Sequence, residues 1–186
     1  MFKLKQQARL ARRILLFAAS GVLYLAALAL PSAPQQIPAP KDVVAPSAYA
    51  TRDPVNRSSD LQVIAVLRIR QGFHINARHP SEEYLIPTDL RPAPTEGFAF
   101  GNVVYPKGEL HTFTFSKTPL KVYEGTVKLE FRATVLANAP LGAQKIPLKL
   151  RYQACSTDVC LPPVTVTFDV PLNVTATPAS SSTSHP

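Results

Sequence analysis

Only one pair of residues in this 186-residue chain has a type and spacing that point to a definite chemistry, its two cysteines. Cys155 and Cys160 lie in the stretch Tyr152-Gln153-Ala154-Cys155-Ser156-Thr157-Asp158-Val159-Cys160-Leu161-Pro162-Pro163. Before this stretch Ile146, Leu148, Leu150 and Tyr152 fall on one face of an extended chain, and after it Val164, Val166, Phe168, Val170, Leu172 and Val174 do the same. Period-two alternation on both sides of a short polar loop reads as an antiparallel hairpin. Each cysteine then sits where a strand meets the loop, roughly opposite the other. Directly opposed residues have Cα atoms about 4.5–5.5 Å apart, within the separation a disulfide accepts. The sulfurs can therefore bond and part with little backbone movement.

Two uses of such a bond stay open on spacing alone. One is a structural staple, and the other is a disulfide that opens and closes. Closing a loop of about six residues contributes only about 2 kcal/mol, against about 4 for a bridge across roughly 60, so stability alone favours joining distant strands. Zinc is disfavoured, because two cysteines without a second pair or a histidine nearby in sequence fall short of four ligands. Ser156-Thr157-Asp158-Val159 holds no Lys, Arg or His, and Asp158 opposes a thiolate, so the expected thiols are not strongly acidified. Exchange by such thiols depends on a docked partner with its own activated sulfur.

The motif Tyr-Gln-Ala-Cys, a short loop, then Cys-Leu-Pro-Pro resembles the cysteine hairpin of the DsbD N-terminal domain family, the periplasmic immunoglobulin-like thiol carriers of the disulfide-reductant pathway. Gln71-Gly72-Phe73-His74-Ile75-Asn76, Tyr84-Leu85-Ile86-Pro87 and Val104-Tyr105-Pro106-Lys107-Gly108 resemble family segments in the same order. The similarity runs over about Leu61 to Val174. Neither a multi-span membrane domain nor a thioredoxin-like Cys-x-x-Cys domain follows, so the expectation is the carrier module alone. The resemblance implies that Cys160 attacks a partner disulfide and Cys155 resolves the mixed disulfide. It also implies a cap over the sulfurs, matched best by Val103-Val104-Tyr105-Pro106 with Tyr105 as an aromatic lid. Phe73, His74 and Asn76 match the segment beside the pair, where family members often carry tyrosines. The His and Asn there leave an acid–base role for that segment in doubt, and core or turn packing is the plain reading of Phe73 and Tyr105.

The elements that must position the pair read as an all-β chain, with nineteen prolines, seven glycines and 46% hydrophobic residues. Leu61, Val63, Ala65, Leu67 and Ile69 form one face of a strand, and Val127, Leu129, Phe131, Ala133 and Val135 form another. Gln71-Gly72 marks a turn before Phe73–Asn76. Tyr84–Leu90 reads as a short strand broken at Pro87, Phe98–Tyr105 as extended, and Leu110–Ser116 as a strand. About eight strands with turns every eight to twelve residues predict an immunoglobulin-like antiparallel β-sandwich over residues 61–174.

The first thirty residues differ. Lys3, Lys5, Arg9, Arg12 and Arg13 precede an apolar run over residues 14–30, the layout of an export signal or an uncleaved inner-membrane anchor. That segment carries five of the net eight positive charges, leaving about +3, which excludes an argument for nucleic acid. Residues 31–60, rich in Pro and Ala, read as a linker, and residues 175–186 as a disordered tail. Hydrolytic sites are not expected, because His74, His79, His111 and His185 are scattered and no Gly-x-Ser-x-Gly or phosphate loop occurs.

The expected function is therefore a periplasmic or exported electron carrier, a protein-disulfide reductase component that needs no cofactor. By resemblance its partners are a membrane thiol transporter and thioredoxin-like periplasmic proteins, including those of cytochrome maturation. The rival is a binding or adaptor module on the same sandwich with a permanent disulfide.

Overall fold

The computed structural model describes residues 37–176. The export signal or anchor expected over residues 1–30 lies outside the described residues, as does the tail from residue 177 onward.

After a short 3-10 turn at Pro40–Asp42 the strands are β1 (Val44–Ala50), β2 (Val55–Asn56), β3 (Ser59–Ile69), β4 (His74–Asn76), β5 (Asp89–Pro92) and β6 (Phe98–Phe100). They continue as β7 (Glu109–His111), β8 (Leu120–Tyr123), β9 (Thr126–Val135), β10 (Gly142–Tyr152), β11 (Ala154–Cys155) and β12 (Val164–Thr175). Three four-stranded sheets result, ordered β1-β3-β9-β6, β2-β12-β10-β5 and β11-β4-β8-β7. The first two form the layers of the immunoglobulin-like sandwich, and the third, smaller sheet carries Cys155. About eight strands were expected and twelve are present among the described residues, because five span only two or three residues. Strands that short hold too few side chains to show a period.

The long strands follow their alternation. In the β3–β9 ladder Leu61 faces Ala133, Val63 faces Phe131, Ala65 faces Leu129 and Leu67 faces Val127, all of them buried. The alternate positions carry polar ties, with Gln62 Nε2 donating to Glu130 Oε2 at 2.7 Å and Thr134 Oγ1 to Asp60 Oδ1 at 2.6 Å. In the β10–β12 ladder Ile146 opposes Val170, Leu148 opposes Phe168, Leu150 opposes Val166 and Tyr152 opposes Val164. A one-residue slip in either ladder would turn its apolar set outward, so burial fixes the register.

Three sequence readings are corrected. Residues 31–60 do not form a linker throughout, since β1 pairs with β3 along its whole length and β2 pairs in parallel with the end of β12. The β1 sequence Val-Ala-Pro-Ser-Ala-Tyr-Ala is dominated by alanine, and Pro46 is tolerated because β1 is an edge strand. Tyr84–Leu90 is not a strand before Asp89. Side chains hold it instead, Asn76 Nδ2 donating to the Ile86 carbonyl at 3.0 Å and Thr88 Oγ1 to the Asn76 carbonyl at 2.6 Å. Leu110–Ser116 leaves its ladder after His111, and Phe113 turns into a small separate core with Leu85, Leu120 and Val122.

Tyr152 links the sandwich to the cysteine stretch. Its ring is fully buried at the end of β10, and its hydroxyl donates to the Pro40 carbonyl at 2.8 Å. Tyr152→Phe removes that bond, leaving the Pro40 carbonyl only the long one from Val43 N at 3.4 Å, and should lower stability by about 1 kcal/mol, read as a shift of the urea midpoint at unchanged m-value.

Candidate functional site

The chain between β10 and β12 does more than close a hairpin. At Gln153 it peels away from the β10–β12 ladder, and Ala154 and Cys155 pair with Ile75 and His74 of β4. On its other side Cys155 forms an antiparallel bridge with Cys160. The hydrogen bonds lie on either side of this bridge. Leu161 N donates to the Ala154 carbonyl and Ser156 N to the Val159 carbonyl, each at 2.8 Å. The cysteines therefore occupy a non-hydrogen-bonded position, where opposed residues approach most closely.

The disulfide is formed, with S–S 2.05 Å and Cα–Cα 3.9 Å. That is tighter than the roughly 4.5–5.5 Å expected from regular ladders, because the bridge closes a turn of only four residues. Gln153 Nε2 donates to the Leu161 carbonyl at 3.2 Å, clamping the base of the turn. At its tip the Ser156 hydroxyl accepts from the backbone N–H groups of Asp158 and Val159, at 3.2 and 3.1 Å. The two sulfur-bearing residues are unequal, since Cys155 is 1% exposed whereas Cys160 is open to solvent.

β4 brings His74 to this site through a turn at Gly72, whose φ of +81° suits glycine, closed by Phe73 N donating to the Arg70 carbonyl at 3.0 Å. Phe73 is half-buried against the main core. His74 is 2% exposed and stacks on Phe113 with ring centroids 4.1 Å apart. Phe113 in turn stacks on Phe115 at 5.3 Å, and Thr114 Oγ1 donates to the Thr157 carbonyl of the cysteine turn at 3.2 Å. The segment Phe113–Phe115 thus lies against both His74 and the turn.

Val104 and Tyr105, expected as the lid, make contacts of their own. Val104 bridges to Glu130 of β9, and the Tyr105 hydroxyl accepts from Leu90 N at 2.8 Å while Arg78 lies over its ring at 5.3 Å. The segment beside His74 is a Phe-Thr-Phe alternation, which in the sequence reads as an ordinary strand. Asn76, also expected at the site, is buried and ties β4 to Ile86 and Thr88, and its Oδ1 has no partner. Among the described residues no group of three or more His, Cys, Asp or Glu side chains is arranged to hold a metal.

Burial, and secondarily the nearby His111, pushes the His74 imidazole down to about 4 from an ordinary 6.5. His111 itself lies 3.3 Å from Glu124 and 3.6 Å from Glu109. Between pH 4 and 6.5 the unfolded chain binds a proton at His74 that the folded chain refuses, so this contribution is complete above pH 6.5 and declines as the pH falls. The slope is about 1.4 kcal/mol per pH unit while that imbalance lasts. His74→Phe should flatten the fall in urea midpoint between about pH 6.5 and 4.5 relative to the unchanged chain.

No curated protein matches the sequence significantly. Among solved structures, the chain is similar to the reduced DsbD N-terminal domain of Neisseria meningitidis, at 23% identity and TM-score 0.47, covering 76% of this chain and 95% of that one. It is similar also to the N-terminal periplasmic domain of ScsB from Proteus mirabilis, at 12% identity and TM-score 0.47, covering 76% of this chain and 49% of that one. The family described as thiol:disulfide interchange protein DsbD, N-terminal, matches residues 38–172. Its match takes in β1 and ends within β12, and this chain belongs to that family.

Proposed function

We propose that the domain carries electrons in the periplasm, passing reducing equivalents through Cys155 and Cys160 between a thioredoxin-like or membrane donor and periplasmic disulfide proteins. The observation that carries this reading is the inequality of the two cysteines, one open to solvent and one buried. In the reduced form the Cys160 thiolate attacks a partner disulfide, forms a bond to one partner sulfur and expels the other as a thiolate, which takes up a proton. Cys155 then loses its proton and attacks Cys160, restoring the internal bridge and releasing the second partner thiol. Two electrons and two protons have moved to the partner. Reloading runs the other way, a donor dithiol attacking Cys160 and closing to its own disulfide.

The surroundings suit a relay that waits for its partner. The turn offers no cation to a thiolate, and the neighbouring imidazole is neutral at pH 7. Phe113–Phe115 lies against His74 and the cysteine turn, and we assign the cap to this segment in place of Val104 and Tyr105. Residues 14–30 would deliver the domain to the periplasm as a cleaved signal or an anchor.

Cys155→Ser should accumulate a mixed disulfide through Cys160 when mixed with an oxidised thioredoxin-like partner, visible on a non-reducing gel, while Cys160→Ser should accumulate far less. The wild-type potential should lie above about −300 mV, the region of exchangeable bridges. A bridge that stays shut against reduced thioredoxin-like donors would instead favour the adaptor with a permanent disulfide. Phe115→Ala should speed alkylation of the reduced pair by iodoacetamide severalfold, measured by quenched mass spectrometry.

A further inference from the structure

His74, Cys155 and Cys160 form a row. His74 opposes Cys155 in the β4–β11 ladder, and Cys155 opposes Cys160 across the turn. Directly opposed residues point to the same face with Cβ atoms about 4.5–5.5 Å apart, so the His74 and Cys155 side chains share one face of the ladder. Yet His74 Nε2 is buried without a hydrogen-bond partner while the disulfide is closed. Buried polar atoms in folded proteins are nearly always paired, and an orphan beside a reactive group calls for an explanation. Phe113 covers the ring face, leaving the edge of the imidazole to find a partner.

We infer that His74 is the hydrogen-bonding partner of the Cys155 thiol in the reduced domain, and so biases the pair toward its dithiol form. A disulfide sulfur has no proton to donate and is a weak acceptor. Reduction breaks the S–S bond as two electrons and two protons pass from a donor dithiol, which closes to a disulfide. One proton ends on Cys155 Sγ, where it is shared with Nε2. If Cys155 is a thiolate instead, the other imidazole tautomer donates to it. Either form satisfies an atom that the closed bridge leaves unpaired. The depressed basicity of His74 supports this, since a neutral ring keeps an acceptor free. The inference deepens the carrier reading and rests on the bridge opening.

The test equilibrates the wild-type domain, His74→Phe and His74→Gln with a glutathione redox couple and measures the reduced fraction by alkylation. His74→Phe keeps the ring stack without the nitrogen and should shift the equilibrium toward the disulfide roughly 2- to 10-fold, the worth of one hydrogen bond. His74→Gln, which can still accept or donate, should stay near wild type. Equality of His74→Phe with wild type, or a His74→Gln shift as large as that of His74→Phe, overturns the inference and leaves the carrier intact. A wild-type bridge that no couple opens removes both. Should His74→Phe fail to fold, the imidazole nitrogen resonances of wild type decide. A shift at Nε2 on reduction supports the bond, and an unchanged resonance refutes it.

Discussion

The pairing of Ala154 and Cys155 with β4 is the constraint on which the site depends. Without it the cysteines would stand at the tip of a two-stranded ribbon, an arrangement of marginal stability in water. With it, Cys155 is held on one side by Ile75 and His74 and on the other by the four-residue turn. The rigid layers of the sandwich thus extend to one sulfur while the other is presented to solvent.

The residues around the pair in the motif have distinct mechanical tasks. Tyr152 ties the end of β10 to the turn at Pro40, Gln153 clamps Leu161, and Ala154 and Leu161 are buried with the main core. None of these side chains supplies charge to a sulfur. Tyr152 also ties the N-terminal turn to the scaffold, and the family match begins at residue 38, just before that turn.

The polar chemistry lies in a second layer. His74 is stacked under Phe113, and Phe113 belongs to a small core of its own with Leu85, Leu120 and Val122. In the proposed relay this layer can yield without disturbing the sandwich, because its apolar contacts are separate. A cap made of a few side chains over a rigid frame is suited to controlled exposure, since local opening costs less where fewer buried contacts are broken.

Much of this was written locally in the chain. The alternation of Leu61 to Ile69, Val127 to Val135 and Ile146 to Tyr152 determined three long strands and their inward faces, because a strand's side-chain period is a property of its own residues. The short separation of Cys155 and Cys160 likewise determined that they could bond. Only the tertiary structure decided that Cys155 lies opposite His74, that Phe113 stacks on that histidine, and that alanine-rich β1 is an edge of the sandwich. Those outcomes depend on which distant strands become neighbours, and short or weakly apolar segments take their places from that packing and not from a period of their own.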